Sequence, residues 1–283
     1  MAKQYRLPKR LIDIHNHLHG DDDGSAMLQR MDAAGIEVTL IMGSPLRGEE
    51  GNRLLVKACR RWPDRYVGGA YYDPREGKTA IRRLKHYNAE GLRIVKLFPN
   101  LGYFPDDDAL RPFWQTVAEL RMGVLSHCGW LGGSGAQMRR DRWAAYYSHP
   151  GRFEKVIRAC PDTPFIMAHF GGIAGVLESV MLATRTPNTF IDCSPGQGLW
   201  AIEACGAIAG SVPPHKLMWG SDVPNPGDAL SRYRTALVRL KYGPHLPAIF
   251  FDNAAGLLDT LGVLPRRLRT PPTKPHRARP KRK

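Results

Sequence analysis

Eight short apolar segments recur along this chain of 283 residues, with helix-like stretches between them. Several are rich in β-branched residues and end at glycine, proline or a polar residue, which is typical of buried strands. They span residues 11–14, 36–43, 66–72, 92–98, 122–128, 164–170, 188–194 and 216–222. The helix-like stretches cover residues 25–34, 50–61, 76–87, 108–120, 152–160, 175–183, 200–209, 229–241 and 253–261. Strands that alternate with helices pair in parallel, so eight such units predict a (β/α)8 TIM barrel, with a doubly wound open sheet as the alternative.

The formal net charge of +15 is concentrated at the C-terminal end of the chain. From Pro265 onward there are nine Lys or Arg residues and no acid, so the rest of the chain carries only +6. Four prolines after Thr270 and the lack of apolar periodicity predict a disordered tail. We therefore expect one barrel domain over residues 1–264 and a basic tail over residues 265–283. We expect this tail to be solvated without a specific ligand, and the alternative is non-specific, electrostatic binding of RNA, an acidic lipid or a partner.

The remaining composition favours an ordinary globular enzyme in a reducing compartment. Hydrophobic residues make up 43% of the chain, which is enough for a large core. Five cysteines without CxxC spacing predict neither a disulfide framework nor a thiolate zinc site. No apolar run is long enough for a transmembrane helix, and the N-terminus does not resemble a signal peptide. We expect a cytoplasmic protein with a small-molecule substrate, and the oligomeric state stays open, with a homodimer as one option.

Residues that bind metals or move protons stand at the carboxyl ends of the predicted strands. They are His15 and His17 after the first strand, Lys96 within the fourth, His127 and His169 at the ends of the fifth and sixth, and Asp222 at the end of the eighth. In a (β/α)8 barrel the chemistry lies at this end of the strands. We therefore expect these six side chains to converge.

His15 and His17 have the spacing of two metal ligands on one strand. Residues two apart on a strand point to the same face, and imidazole is the commonest protein ligand for zinc and similar ions. For a single strand-terminal histidine, a hydrogen-bonded core residue is the simpler explanation. Five such positions and a lysine at equivalent ends favour a metal site instead. A buried amine is costly without a partner, so Lys96 requires a carboxylate, a metal-bridging modification or a bound anion nearby.

Several motifs resemble those of the amidohydrolase superfamily. They are IDIHNH at 12–17, GLRIVKLFP at 91–99, VLSHCG at 124–129, FIMAHFGG at 165–172, MWGSDVP at 218–224 and FDNAAGLL at 251–258. The closest similarity is to the branch that contains metal-dependent hydrolases and decarboxylases related to aminocarboxymuconate semialdehyde decarboxylase. The resemblance covers residues 11–261 and is specific for the branch but weak for the substrate.

The resemblance implies roles for the six strand-end residues. It makes His15, His17, His127 and Asp222 the metal ligands, and His169 the residue that orients or deprotonates the metal-bound water. In some relatives the strand-four lysine, here Lys96, is carbamylated and bridges two metals, while in others it faces the substrate. One ion is expected, and a second, held by Lys96, His127 and His169, if Lys96 is carbamylated. Zinc is the default for these ligands, with manganese or iron as alternatives.

Three functions follow from this site. The first is a hydrolase in which a metal-bound hydroxide cleaves an ester, lactone, amide or thioester of a small carboxylic acid, with Asp222 moving the proton. The second is a non-oxidative decarboxylase of an aromatic or unsaturated acid. The compact chain, without the long insertions common in the decarboxylase relatives, favours the hydrolase. The third is a nuclease or nucleic-acid-binding protein, but nuclease relatives usually have an acid where this chain has Lys96.

Residues after the strands are candidates for substrate binding. They are Arg47 after the second strand, Trp130, Arg139, Arg140 and Trp143 after the fifth, and Gln197 and Trp200 after the seventh. Arginine pairs with carboxylates bidentately, so these residues predict an acidic or aromatic substrate. Arginines in long loops are mostly solvated, which is the alternative for each of them. Cys128 and Cys193, at strand ends, are expected to be small packing residues and not nucleophiles.

Overall fold

The computed structural model describes residues 5–131, 144–228 and 230–269 of the chain. The strands are β1 (Ile12–Asn16), β2 (Val38–Met42), β3 (Tyr66–Tyr71), β4 (Ile94–Leu97), β5 (Gly123–Ser126), β6 (Phe165–Met167), β7 (Thr189–Asp192) and β8 (Leu217–Met218). The α-helices are α1 (Ser25–Ala34), α2 (Gly48–Arg61), α3 (Lys78–Ala89), α4 (Arg111–Glu119), α5 (Glu154–Ala159), α6 (Val176–Arg185), α7 (Gln197–Ala204), α8 (Gly206–Ala209), α9 (Leu230–Arg239) and α10 (Asn253–Thr260).

The eight strands form one parallel sheet in chain order, and the sheet curls into a barrel. Each strand pairs with the next, from β1 with β2 to β7 with β8. Two backbone hydrogen bonds join the two edges of the sheet: Ile14 N–H donates to Trp219 O (3.1 Å) and Asp222 N–H donates to His15 O (2.8 Å). The (β/α)8 prediction is therefore confirmed, and the open-sheet alternative is wrong.

Apolar side chains cover the barrel sheet in two layers, so most strand residues are buried on both faces, as expected for a parallel sheet. One layer packs between the strands and the surrounding helices and includes Ile41, Val95 and Val124. The other combines alternate strand residues such as Ile94 and Leu125 with apolar residues of α10. Because Leu261 lies against Gly123 at the start of β5, α10 and the residues after it cover the amino-terminal end of the barrel.

Seven of the eight strands end earlier than predicted, whereas β1 continues beyond the predicted segment to Asn16. The largest differences lie next to the candidate site. The segment 164–170 is a strand only to Met167, and Ala168–Gly171 form a 3-10 turn. The segment 216–222 contains a strand of two residues, Leu217–Met218. In both segments, the residues after the strand leave extended geometry. The predicted helix over 200–209 is divided at Cys205 into α7 and α8.

The chain after Leu264 continues for several described residues along the barrel. Residues 266–268 form a short 3-10 helix, and the Arg267 guanidinium donates to the carbonyl of Glu37 (2.8 Å) and to its carboxylate (3.1 Å). The rest of the predicted tail, residues 270–283, lies outside the described residues. All five cysteines are free. Within the described ranges, no helix is long and apolar enough to cross a membrane.

Candidate metal centre and active site

The two histidines of β1 lie side by side at the carboxyl end of the barrel. His15 is fully buried, and the side chain of His17 is 18% exposed. Their ring centroids are 5.5 Å apart. Burial, followed by the nearby charge of Lys96, lowers the pKa of both imidazoles well below the usual value. Both rings are therefore neutral at pH 7, which is the form that binds metal.

The hydrogen-bond partners of these rings assign their tautomers. His17 Nδ1 lies 2.8 Å from the carbonyl oxygen of Met42, which can only accept, so Nδ1 carries the proton. His15 Nδ1 lies 2.7 Å from the carboxylate of Asp192, which assigns its proton in the same way. Nε2 of each ring then has a lone pair, and that of His15 lies 2.8 Å from Lys96 Nζ. Metal-binding histidines commonly donate their other N–H to a carboxylate or a backbone carbonyl, as these two do.

Asp222 completes a group of three ligand atoms. Its Oδ1 lies 3.5 Å from His17 Nε2 and 3.9 Å from His15 Nε2. One ligand atom from each of the three residues lies within 4.8 Å of the others. Burial raises the pKa of Asp222 to about 7, although Lys96 acts in the opposite direction. Two unprotonated imidazole nitrogens and a carboxylate oxygen in this arrangement fit a divalent cation of the zinc type.

Lys96 is fully buried beside these ligands. Its Nζ lies 2.8 Å from His15 Nε2 and 4.8 Å from the centroid of Phe98. The hydrogen-bond partner of the amine is thus an imidazole, while Asp222 and Asp192 are carboxylates of the kind expected nearby. Burial lowers the pKa of Lys96 to about 8, against the attraction of Asp222 and Asp192. A neutral or carbamylated Lys96 is compatible with a cation at His15, but an ammonium group in this position is not.

His127 and His169 face each other on the other side of the site. His169 Nε2 lies 3.0 Å from His127 Nδ1 and 3.8 Å from Asp222 Oδ2. His127 stacks on Phe98 with ring centroids 5.6 Å apart, and it is outside the group of three ligands. Burial and the charge of Lys96 lower the pKa of His169 to about 3. The role of His127 as a ligand therefore stays a prediction.

Backbone strain is concentrated at this site. His169, Phe170 and Asp222 have φ values of 57°, 56° and 44°, in the left-handed region that L-residues rarely adopt. The other described non-glycine residues with positive φ, Arg121 and Lys241, follow helix ends, where this conformation is common. Strained residues of this kind cluster at functional sites because the surrounding structure holds them in place.

Asp13 is a site residue that the sequence analysis missed. Its buried carboxylate accepts hydrogen bonds from the backbone N–H groups of His15 (3.2 Å) and Ser221 (2.8 Å) and from the Ser221 hydroxyl. Burial raises its pKa to about 6, against these hydrogen bonds. Asp13 joins β1 to the segment after β8, and so fixes the position of His15 relative to Asp222.

Asp192 and Ser194, at the end of β7, were missed as well. The rule that selected the other strand ends applies to them, since both follow the apolar run of β7. Asp192 contacts His15, and Ser194 contacts both His15 and His169, each at 3.0 Å. Burial raises the pKa of Asp192 to about 7, while hydrogen bonds from Ser194 favour the ionised form.

A cavity of about 670 Å³ opens above these residues. Its walls include His15, His17, Lys96, His169 and Asp222 together with Leu46, Arg47, Trp130, Gln197 and Trp200. Leu46, Trp130 and Trp200 are each more than half exposed. Gln197 holds the backbone of Trp130, whose N–H donates to the Gln197 side chain (2.9 Å). Arg139, Arg140 and Trp143 lie outside the described residues. The volume suits a small-molecule substrate.

Arg47, a predicted substrate-binding residue, lines the cavity after β2. Its side chain is 32% exposed, and the guanidinium lies 3.7 Å from the carboxylate of Asp21, which is fully exposed. An exposed ion pair at this distance is weak and exchanges readily with solvent or ligand. The guanidinium of Arg47 can therefore bind an anionic group in the cavity.

Comparison with solved structures identifies the fold independently. An uncharacterised TIM-barrel protein from Bordetella bronchiseptica has a TM-score of 0.66 at 18% identity, over 89% of this chain and 99% of that one. A protein from Acinetobacter baumannii named as a probable 2-pyrone-4,6-dicarboxylic acid hydrolase has a TM-score of 0.62 at 18% identity, with the same coverages. The 5-carboxyvanillate decarboxylase of Sphingomonas paucimobilis has a TM-score of 0.61 at 17% identity, again over 89% and 99%.

Sequence comparison gives the family. No curated protein sequence is significantly similar to this chain. The family model described as Amidohydrolase, however, matches residues 12–259, which includes β1 to β8 and every one of the six predicted strand-end residues. The chain therefore belongs to the amidohydrolase family.

Proposed function

We propose that this protein is a metal-dependent hydrolase that cleaves an ester, lactone, amide or thioester of a small carboxylic acid. One observation carries the proposal: His15 Nε2, His17 Nε2 and a carboxylate oxygen of Asp222 converge at the base of a cavity of about 670 Å³. The same cavity contains two basic side chains, Lys96 and Arg47. The site thus combines a cation-binding group with positive charge for an acidic substrate.

His15, His17 and Asp222 would hold the first ion, and we propose zinc because two imidazoles and a carboxylate suit it. A bound zinc ion would lower the pKa of water and polarise a carbonyl group. We propose His127 as a further ligand of this ion. If Lys96 is carbamylated, it would hold a second ion with His127 and His169.

Asp222 and His169 carry the proton transfers of the proposed reaction. The carboxylate of Asp222 would accept a proton from the attacking water and return it to the leaving group. His169 Nε2, 3.8 Å from Asp222 Oδ2, is neutral and orients the water for attack.

The cavity walls select the substrate. Arg47 pairs with a carboxylate of the substrate at the wall of the cavity. Trp130 and Trp200 provide exposed apolar surface at the opening, which favours a planar or unsaturated carbon skeleton. Two of the structural neighbours are named for substrates that are carboxylic acids with a ring.

A decarboxylase is the second candidate, and the apolar surroundings of the cavity favour it. Phe98 stacks on His127 within the site, and Leu46 and Trp130 line the opening. A carboxylate held against apolar walls loses hydration, which favours the release of uncharged CO2. Asp222 would then deliver the proton to the carbon that loses CO2.

The two reactions are separated by their products. The full-length chain, loaded with zinc or manganese, is incubated with 2-pyrone-4,6-dicarboxylate and simple carboxylated esters and thioesters, and separately with 5-carboxyvanillate. Acid release from the esters or lactone, without CO2, is the expected result, and it falls by about 10²- to 10⁴-fold in Asp222→Asn. CO2 release without ester or lactone turnover would show that the protein is a decarboxylase and not a hydrolase. Turnover that survives both EDTA and the Asp222→Asn change would contradict both reactions.

A further inference from the structure

The carboxamide of Gln197 pairs with both backbone groups of Trp130. Gln197 is the first residue of α7. Its Oε1 accepts from the Trp130 N–H (2.9 Å), and its Nε2 donates to the Trp130 carbonyl (2.5 Å). A carboxamide can accept and donate at the same time, whereas a carboxylate can only accept. This pair of hydrogen bonds therefore joins the residues after β5 to the start of α7, and it requires an amide at position 197.

The backbone beside Trp130 is held by further side chains. The Gly129 N–H donates to Ser148 Oγ (3.0 Å), and the Gly129 carbonyl accepts from Asn100 Nδ2 (2.7 Å). Asn100 and Ser148 are almost completely buried. The Trp130 carbonyl lies 3.2 Å from His127 Nε2 as well. Side chains from before and after this segment in the chain thus fix its backbone.

Glycine at position 129 leaves room for the carboxamide of Gln197. The φ of Gly129 is 81°, and a Cβ there would collide with the Gln197 side chain and lie 2.7 Å from Gly172 Cα. A Cβ on Gly172 would in turn lie 2.8 Å from Gly129 N. The residues after β5 and after β6 therefore touch through these glycines, and the Gln197 carboxamide packs against Gly129. This close approach leaves the carboxamide little freedom to rotate.

The pair of hydrogen bonds places an exposed aromatic side chain at the opening of the cavity. Trp130 is 59% exposed, and it lines the cavity together with Gln197. A side chain on a mobile backbone loses conformational entropy when it binds a ligand, and a fixed backbone lowers this cost. An exposed indole can also stack on a planar ring. The fixed backbone of Trp130 therefore favours planar ligands.

We propose that Gln197 is a positioning residue that fixes Trp130 at the opening of the cavity, where the indole binds the ring of a planar, carboxylated substrate. Gln197 acts through the backbone of Trp130. The preference for a ring deepens the proposed function and rests on it, but the positioning of Trp130 does not. Gln197→Glu keeps the size of the side chain and removes the Nε2 donor, so a carboxylate oxygen would face the Trp130 carbonyl.

The first test follows Trp130 in the full-length chain labelled with 5-fluorotryptophan. Trp130→Phe identifies its 19F NMR signal among those of the six tryptophans. In Gln197→Glu, this signal is expected to shift or broaden by more than its wild-type line width. Gln29→Glu, at an exposed position of α1, is the matched control and should leave the signal unchanged. An identical Trp130 signal in Gln197→Glu and the wild type would overturn the positioning role.

A second variant covers the case in which Gln197→Glu does not fold, as judged by circular dichroism. Gln197→Met has a side chain of similar length and can make neither hydrogen bond to Trp130. The same change of the Trp130 signal is expected, and an unchanged signal would again overturn the proposal.

The second test compares a planar with an aliphatic probe. Isophthalate and glutarate both have three carbons between their carboxylates, but only isophthalate has a ring. Isophthalate is expected to shift the Trp130 signal of the wild type and to bind about 2- to 10-fold more tightly than glutarate, the usual range for one aromatic contact. Gln197→Glu should remove this difference. Equal binding of both probes to the wild type, or an unchanged Trp130 signal with isophthalate, would overturn the role of Trp130.

Kinetics separate positioning from a purely structural role. With 2-pyrone-4,6-dicarboxylate, Gln197→Glu should raise KM by about 2- to 10-fold, as expected for the loss of one aromatic contact in binding. The kcat and the melting temperature should stay close to their wild-type values. A loss of kcat at an unchanged KM would overturn the role of Gln197 in substrate preference.

The proposal and the proposed function fail in different ways. A Trp130 signal that responds to Gln197→Glu and to isophthalate, in a chain without hydrolase activity, would support the positioning role and contradict the hydrolase. Hydrolysis by a chain in which Gln197→Glu leaves the Trp130 signal unchanged would support the hydrolase and overturn the role of Gln197.

Discussion

The two ends of the barrel bury opposite kinds of side chain, although the same strands form both. On β4, Ile94 belongs to the apolar cluster with α10, whereas Lys96, two residues on, lies in the cavity. On β5, Leu125 belongs to the same cluster and His127 to the cavity. Residues two apart on a strand share a face. The barrel interior therefore changes from apolar to polar side chains within two residues.

This difference separates stability from function within one fold. Apolar burial at the amino-terminal end stabilises the barrel, while the burial of an amine, several imidazoles and carboxylates at the carboxyl end opposes folding unless they are paired. Buried polar groups of this kind are expected at functional sites, and apolar packing elsewhere in the protein offsets their cost in stability. Substitutions at the two ends should therefore have opposite effects on stability and on activity.

The largest effect is expected for Asp222→Asn at the carboxyl end. The amide keeps the shape and most of the metal affinity but cannot accept a proton, so turnover should fall by about 10²- to 10⁴-fold. Steady-state kinetics measure the loss, with metal content and thermal melting as controls for site and fold. Turnover at the wild-type rate would show that Asp222 does not take part in the proton transfer.

Leu258→Ala tests the opposite end. Leu258 is fully buried in the cluster that α10 forms with the strands. Removing its side chain should lower the free energy of unfolding by about 2–5 kcal/mol, because a cavity remains. Urea denaturation measures the change. The kcat of the folded variant should stay at the wild-type value, and a large loss of kcat would show that the two ends are coupled.

Lys96→Met should change stability in the other direction. The amine is fully buried with one described hydrogen-bond partner, His15, and methionine has a similar length without the charge. The free energy of unfolding should rise by about 1–2 kcal/mol, because burial disfavours the charged amine, as its lowered pKa indicates, and this cost is removed. Activity should fall at the same time. A loss of stability would mean that attraction to Asp222 and Asp192 outweighs the cost of burying the amine.

Arg47→Gln should have the smallest effect. It removes a bidentate partner for a substrate carboxylate, so KM should rise about tenfold with little change in kcat. Arg158→Gln, in an exposed ion pair with Glu154, is the matched control and should leave both constants unchanged. An equal fall of kcat in Arg47→Gln would place the guanidinium at the reacting group and not at a remote carboxylate.

The barrel was predictable from the sequence because its signal is local and repeated. Each strand carries its own apolar pattern, and parallel crossover connections leave few topologies for eight such units. The strand-end rule also found His15, His17 and Asp222, which the fold brings together. Asp192 and Ser194 lie at the end of β7, so the strand-end rule applied to them as well, although it was not used there. Asp13 was missed because its role depends on a contact with Ser221, 208 positions away. Sequence spacing contains no information about such contacts.

The central claim is that His15, His17 and Asp222 bind a divalent cation, and metal stoichiometry tests it most directly. The full-length chain is treated with a chelator, dialysed against zinc, and analysed by mass spectrometry for zinc per chain, beside His15→Ala and His17→Ala. The account predicts at least one equivalent of zinc in the wild type and the loss of one equivalent in each variant. Zinc bound equally by the wild type and both variants, or by none of them, would contradict it.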